Sequence, residues 1–297
     1  MKSAGIPGRV VLQFVVNTDG KVEHTFGGRG DQPGEFNFPT NVTVGPDGEV
    51  YISDSMNFRV QMFGTHGEFT ALFGRAGDAV GDLARPKGIG VDSEGHIYVV
   101  EGLYDVVNIY NRTGRILLSF GGAGHASGQF WLAAGMAMDN QDRIYVADSF
   151  NARVQVFTAD GKFLEQWRDV GYPYGMHLTA DERLIISDGR AHRVGIYDLR
   201  GKRLAQFGMP GKNAGEFDLP HLLTVDAKGA IYVCEVNGKR LGTLVRARPS
   251  YDPDTEHLAL HLHELLAYAA ARSVAVLMVI SQHGMIGSAM PQPVDAS

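Results

Sequence analysis

A phrase repeated five times constrains what this chain can fold into. Five short apolar runs, four of them containing tyrosine, end in an acid at residues 50–54, 97–101, 144–148, 184–188 and 231–235. The closing acids are Asp54, Glu101, Asp148, Asp188 and Glu235, at steps of 47, 47, 40 and 47 residues. A period of about 40–50 residues built from short strands is the mark of a β-propeller. Each unit divides into four strand-sized pieces with glycine-bearing turns between them, such as Pro46 to Gly48 and Ser93 to Gly95. Four such pieces make an antiparallel meander, the size of one blade. The 38 glycines of the chain suit a fold that turns this often.

A lone blade would expose an apolar face on each side, so blades must pack into a closed ring. Residues 10–16 and 21–26 read as a third and fourth strand without a first and second. The last unit, from Pro220, has three strands and no clear fourth. Both chain ends are therefore expected to share one blade. The counted strands suffice for five blades, and a sixth needs help from the tail. The expectation is an all-β propeller over residues 1–250 and a partly helical tail over 251–297. Residues 257–272 read as helix and 274–280 as strand or helix. As a membrane span, 258–280 is poor, since it holds Glu264, Arg272 and two histidines.

The net charge of −6 does not favour a phosphate backbone as partner. Cys234 is the only cysteine, which rules out an intramolecular disulfide, and it lies in an apolar strand as an inert thiol would. Residues 1–9 lack the charged-then-apolar pattern of an export signal, so the expected location is cytoplasmic and the expected state monomeric.

The repeated phrase also carries a family resemblance. Asp54, Asn57, Arg59, Gln61 and Phe63 recur as Asp148, Asn151, Arg153, Gln155 and Phe157. Gly34 and Phe36, Gly128 and Phe130, and Gly215 and Phe217 precede their acids at similar distances. This pattern resembles NHL repeats over about residues 10–245. The resemblance implies a β-propeller, commonly of six blades. The acids Asp54, Glu101, Asp148, Asp188 and Glu235 and the arginines Arg59, Arg153, Arg193 and Arg240 follow the repeat, so a structural role is expected of them. The acids are expected to accept hydrogen bonds from the turn amides that follow them.

In style the chain is similar to bacterial propellers resembling the peptidyl-hydroxyglycine amidating lyases, through Pro220, His221, Val225 and the run from Ile231 to Glu235. In that family three inner-strand histidines, each just after a proline, hold a zinc ion. The matching positions here are Thr40, Lys87, Ala134, Tyr174 and His221, of which only His221 is a metal-ligand type. Catalytic zinc requires three protein ligands and an open position.

Functional residues should break a repeat rather than follow it. Thr40, Lys87, Tyr174, His177 and His221 do so on the inner strands, and they are the expected channel-mouth ligand site. A cluster of His221, Tyr174 and Lys87 suits an anion or a polarised carbonyl. Three functions follow. The first is a binding scaffold for a protein or small ligand, working through its loops and channel mouth without a cofactor. The second is a metal-dependent lyase or hydrolase using His221 and Tyr174 with zinc or calcium. The third is an RNA-binding module, which the acidic total disfavours.

Overall fold

The computed structural model describes residues 11–17, 22–225, 229–237, 241–244, 275–279 and 284–288. Its strands form six sheets. The first complete blade runs Pro39–Val44, Val50–Asp54, Arg59–Phe63 and Phe69–Phe73. The second runs Pro86–Val91, Ile97–Glu101, Val106–Tyr110 and Ile116–Gly121. The third runs Ala133–Met138, Ile144–Asp148, Arg153–Phe157 and Phe163–Trp167. The fourth runs Pro173–Leu178, Arg183–Asp188, Arg193–Asp198 and Arg203–Phe207. The fifth has three strands among the described residues: Pro220–Val225, Ile231–Glu235 and Leu241–Leu244. In each of these five sheets the strands follow one another as an antiparallel meander.

The sixth sheet is made from both chain ends. Val11–Asn17 and Val22–Phe26 are its outer strands, as the sequence led one to expect. Ala275–Val279 and Gly284–Ser288 supply the inner pair, so two pieces of the 251–297 tail belong to the ring itself. The innermost of them, Gly284–Ser288, lies against the inner strands of both the first and the fifth blade, which closes the circle. Val11–Asn17 and Ala275–Val279 run parallel, unlike neighbours in the other sheets. No short hairpin joins them, so nothing forces the reversal that a tight turn imposes. The helix expected over 257–272 lies outside the described residues, as does Arg240.

The apolar core lies between blades. One cluster joins Tyr98, Val100, Val107 and Ile109 of the second blade to Phe130, Met136, Ile144 and Phe157 of the third. Another joins Tyr145, Val154 and Trp167 of the third blade to Met176, Leu184, Ile186 and Tyr197 of the fourth. Each blade thus covers its neighbour's face, as the alternation of side chains across a strand requires.

The repeated acids hold the end of each blade. Asp148 is fully buried and accepts from Trp131 N, Asn151 Nδ2, Arg153 Nε and Gln155 Nε2. Arg153, itself 1% exposed, also donates to the carbonyls of Ala126 and Gln129 and to Gln166 Oε1. Asp54 repeats this set with Asn37 N, Asn57, Arg59 and Gln61. One detail differs from the sequence reading. The amide common to all five acids belongs to the loop that leads into the inner strand: Asn37, Arg85, Trp131, Tyr172 and Asp218. Among the described residues the turn amide after the acid is seen to contribute at Leu103 and Ala191. The latch therefore fixes the point where each inner strand starts.

Candidate functional site

The latch end is also where the channel opens. Each acid lies opposite the first residue of its inner strand: Pro39, Pro86, Ala133, Pro173 and Pro220. Just inside that pair the register slips in all five blades. The residues within the slip are Thr40, Lys87 with Gly88, Ala134 with Gly135, Tyr174 with Gly175, and His221 with Leu222. A β-bulge frees a residue from the ladder and re-aims its side chain. Here it turns the five irregular positions toward one cavity of about 650 Å³, which all of them line.

Three glycines bring the walls together. A Cβ at Gly88 would lie 2.6 Å from the Ala134 carbonyl oxygen, one at Gly135 would lie 2.2 Å from that of Tyr174, and one at Gly175 would lie 2.3 Å from that of His221. Only glycine allows inner strands to approach this closely. Hydroxyls pin the same seams. Thr40 Oγ1 donates to the Pro86 carbonyl at 2.9 Å, Ser149 Oγ donates to that of Pro173, and Ser187 Oγ donates to that of His221.

His221 and Tyr174 stack, with ring centroids 4.9 Å apart and planes inclined by 23°. Burial pulls the His221 imidazole down to about 4, helped by the Lys87 charge, so the ring is neutral at ordinary pH. Burial likewise raises the Tyr174 phenol. Lys87 is brought down to about 8, first by burial and then by the Arg85 charge, with Asp105 and Glu101 partly offsetting both. Its stem passes over Gly102, where a Cβ would fall 2.6 Å from Lys87 Cδ.

His177 is not part of this mouth. It lies three residues beyond Tyr174, about 10 Å along a strand, and lines a second cavity of about 350 Å³ with Thr224, Met138 and Met176. Asn41 and Leu222 line both cavities and so form the boundary between them. Burial also lowers His177 to about 4. The mouth also contains two cations that the sequence did not single out, Arg29 and Arg85. Arg85 carried a signal: only the second unit flanks its proline with two cations, Arg85 and Lys87.

His221 is the sole metal-ligand type among the five mouth positions, and among the described residues no three His, Cys, Asp or Glu side chains converge as a metal requires. The repeated acids are engaged by the latch. The residues present do not fit a catalytic zinc.

Comparison with known proteins agrees with the repeat. The NHL repeat model matches residues 36–63 and 130–157, the parts of the first and third blades that carry the complete latch. No curated protein matches the chain. Among solved structures, a catalytically inactive histidine-to-alanine variant of virginiamycin B lyase from Staphylococcus aureus with quinupristin is 17% identical. Its TM-score is 0.57, over 77% of this chain and 72% of that one. A streptogramin B lyase is 18% identical, with a TM-score of 0.55 over 72% and 67%. A gluconolactonase from Xanthomonas campestris is 14% identical, with a TM-score of 0.52 over 89% and 78%. At these identities the likeness is one of fold. Among the described residues no helix is long and apolar enough to cross a membrane.

Proposed function

Because the chain is an NHL-type β-propeller, we propose that it is a binding protein that takes a small organic ligand in the latch-end mouth of its channel. The observation that carries this reading is the mouth itself. Five bulged inner strands aim Thr40, Lys87, Ala134, Tyr174 and His221 at one cavity of about 650 Å³. That volume is in the range of small-molecule sites, and an apolar enclosure with a few converging polar groups is what such ligands select. Neither His221 nor Tyr174 spends its side-chain polar atoms on a hydrogen bond within the described residues, so both are free to meet a ligand.

The second reading is an enzyme of the lyase or hydrolase type. A histidine-to-alanine change inactivates the virginiamycin B lyase of similar fold, and His221 with Tyr174 is the one histidine-tyrosine pair in this mouth. Against it stands proton affinity. A general base works best with a pKa near the operating pH, and burial with the Lys87 charge holds the His221 imidazole well below that, at about 4. Binding is therefore the better account of the same residues.

A thermal-shift screen of small metabolites tests the proposal. Ligands should raise the unfolding temperature of the wild type and leave that of Tyr174→Ala and His221→Ala unmoved. Shifts that survive both substitutions would place binding elsewhere. Stoichiometric zinc or calcium that is lost, together with turnover, in His221→Ala would favour the enzyme.

A further inference from the structure

The mouth has an unbalanced charge. Arg29, Arg85 and Lys87 line it, and no aspartate or glutamate does. This occurs in a chain with 33 acids and 27 bases. Among the described residues none of these three side chains makes a hydrogen bond or ion pair. The nearby acids are already used. Glu101 accepts from the amides of Ala84, Arg85 and Leu103, and Asp105 accepts from that of Ala133. Arg29 and Arg85 are exposed and Lys87 is half-buried, so the two arginines supply a positive field at the opening and Lys87 is the cation already partly stripped of water.

From this, we infer that the mouth binds a carboxylate with an apolar body, its head group held by Lys87 and Arg85 with Arg29 at the rim. The inference rests on the proposal that the mouth is the ligand site. The apolar part has its own walls in Phe38, Met56, Leu132 and Leu222, and the Tyr174 ring lines the same cavity. Carboxylate is favoured over phosphate by the state of the backbone. Phosphate sites characteristically use a cradle of free amides. Here the amides at the mouth loops, those of Asn37, Arg85, Trp131, Tyr172 and Asp218, all donate to the latch acids. The positive charge of the mouth is therefore carried by side chains, and a guanidinium fork beside an ammonium matches a carboxylate.

Calorimetric titration of the full chain at low salt tests this, with naphthalene-2-carboxylate and decanoate against their neutral carboxamides. The acids should bind, and each carboxamide should bind at least about tenfold more weakly. Lys87→Met should lower acid affinity about tenfold or more and Arg85→Met severalfold, with unchanged circular dichroism. Affinity should fall as pH rises through about 8, where Lys87 loses its proton. The charged groups around Lys87 are Arg85, Asp105 and Glu101, and His221 beside it stays neutral above about 4, so none of these reverses that trend. Acids and carboxamides binding equally, with Lys87→Met indifferent, would overturn the carboxylate inference and leave the mouth as a neutral-ligand site. Binding by neither class would overturn the inference and count against the mouth reading as well.

Discussion

The third-blade latch and the channel mouth are two charged regions at the same end of the ring, and they treat charge in opposite ways. In the latch, Arg153 and Asp148 are both buried and every polar atom of the pair is directed to a partner, with the ion pair itself at 2.6 Å. In the mouth, exposed Arg29 and Arg85 and half-buried Lys87 make no hydrogen bond or ion pair among the described residues, and Asp105 and Glu101 act on Lys87 only at longer range. The latch recurs from blade to blade, and the mouth differs in every blade. The lesson is that a repeated, saturated charge maintains the fold, while an unrepeated, unsatisfied one is kept for something that binds.

The sharpest way to break this comparison is to remove the latch arginine. Arg153→Met strands the Asp148 carboxylate in the core and frees two loop carbonyls. It should cost about 3–5 kcal/mol in urea unfolding, while carboxylate affinity of the folded protein stays unchanged. A loss below about 1 kcal/mol would mean that the latch is not structural. Arg193→Met should cost less, about 1–2 kcal/mol. Its side chain is 32% exposed and makes one ion pair with Asp188, at 3.0 Å. Equal losses in the two variants would remove burial as the explanation.

A gentler probe moves Lys87 without touching its charge. Gly102→Ala places a methyl where the lysine stem now lies. Since the lysine is flexible, stability should change by less than about 0.5 kcal/mol, while carboxylate affinity falls a few-fold. No change in affinity would show that the position of Lys87 is unimportant.

The smallest effect concerns the cavity at the other end. His177 and His221 both have pKa values lowered to about 4 by burial, from 6.5. The unfolded chain then binds protons that the folded chain refuses. Stability is full above about pH 6.5 and declines as pH falls toward about 4. His177→Gln should flatten part of that decline without altering carboxylate affinity, because His177 does not line the mouth. An affinity change in His177→Gln would join the two cavities into one site.

Much of this molecule was legible in its sequence, because a repeat states each structural rule several times. The acid positions and the strand pieces followed from spacing, as did a blade shared by the chain ends, but spacing left five or six blades open and set residues 251–297 beyond the propeller. Strand direction in that blade did not. Parallel pairing of Val11–Asn17 with Ala275–Val279 is settled by contacts across more than 250 residues, which no local pattern encodes. The mouth was half legible. Irregular positions singled out Thr40, Lys87, Tyr174 and His221, but the bulge that aims them is a register event visible only in the sheet. The same slip explains the misplacement of His177: it is on an inner strand yet beyond the bulge, and depth along a channel is not written in residue type.

Lys87 is held for a ligand rather than for the fold, and urea unfolding of Lys87→Met beside Arg153→Met tests that most directly. The lysine variant should unfold at the wild-type free energy or up to about 1 kcal/mol above it, since an unpaired, half-buried cation is removed, while the arginine variant falls by several kcal/mol. If Lys87→Met were destabilised as much as Arg153→Met, the division between saturated and waiting charges would be contradicted.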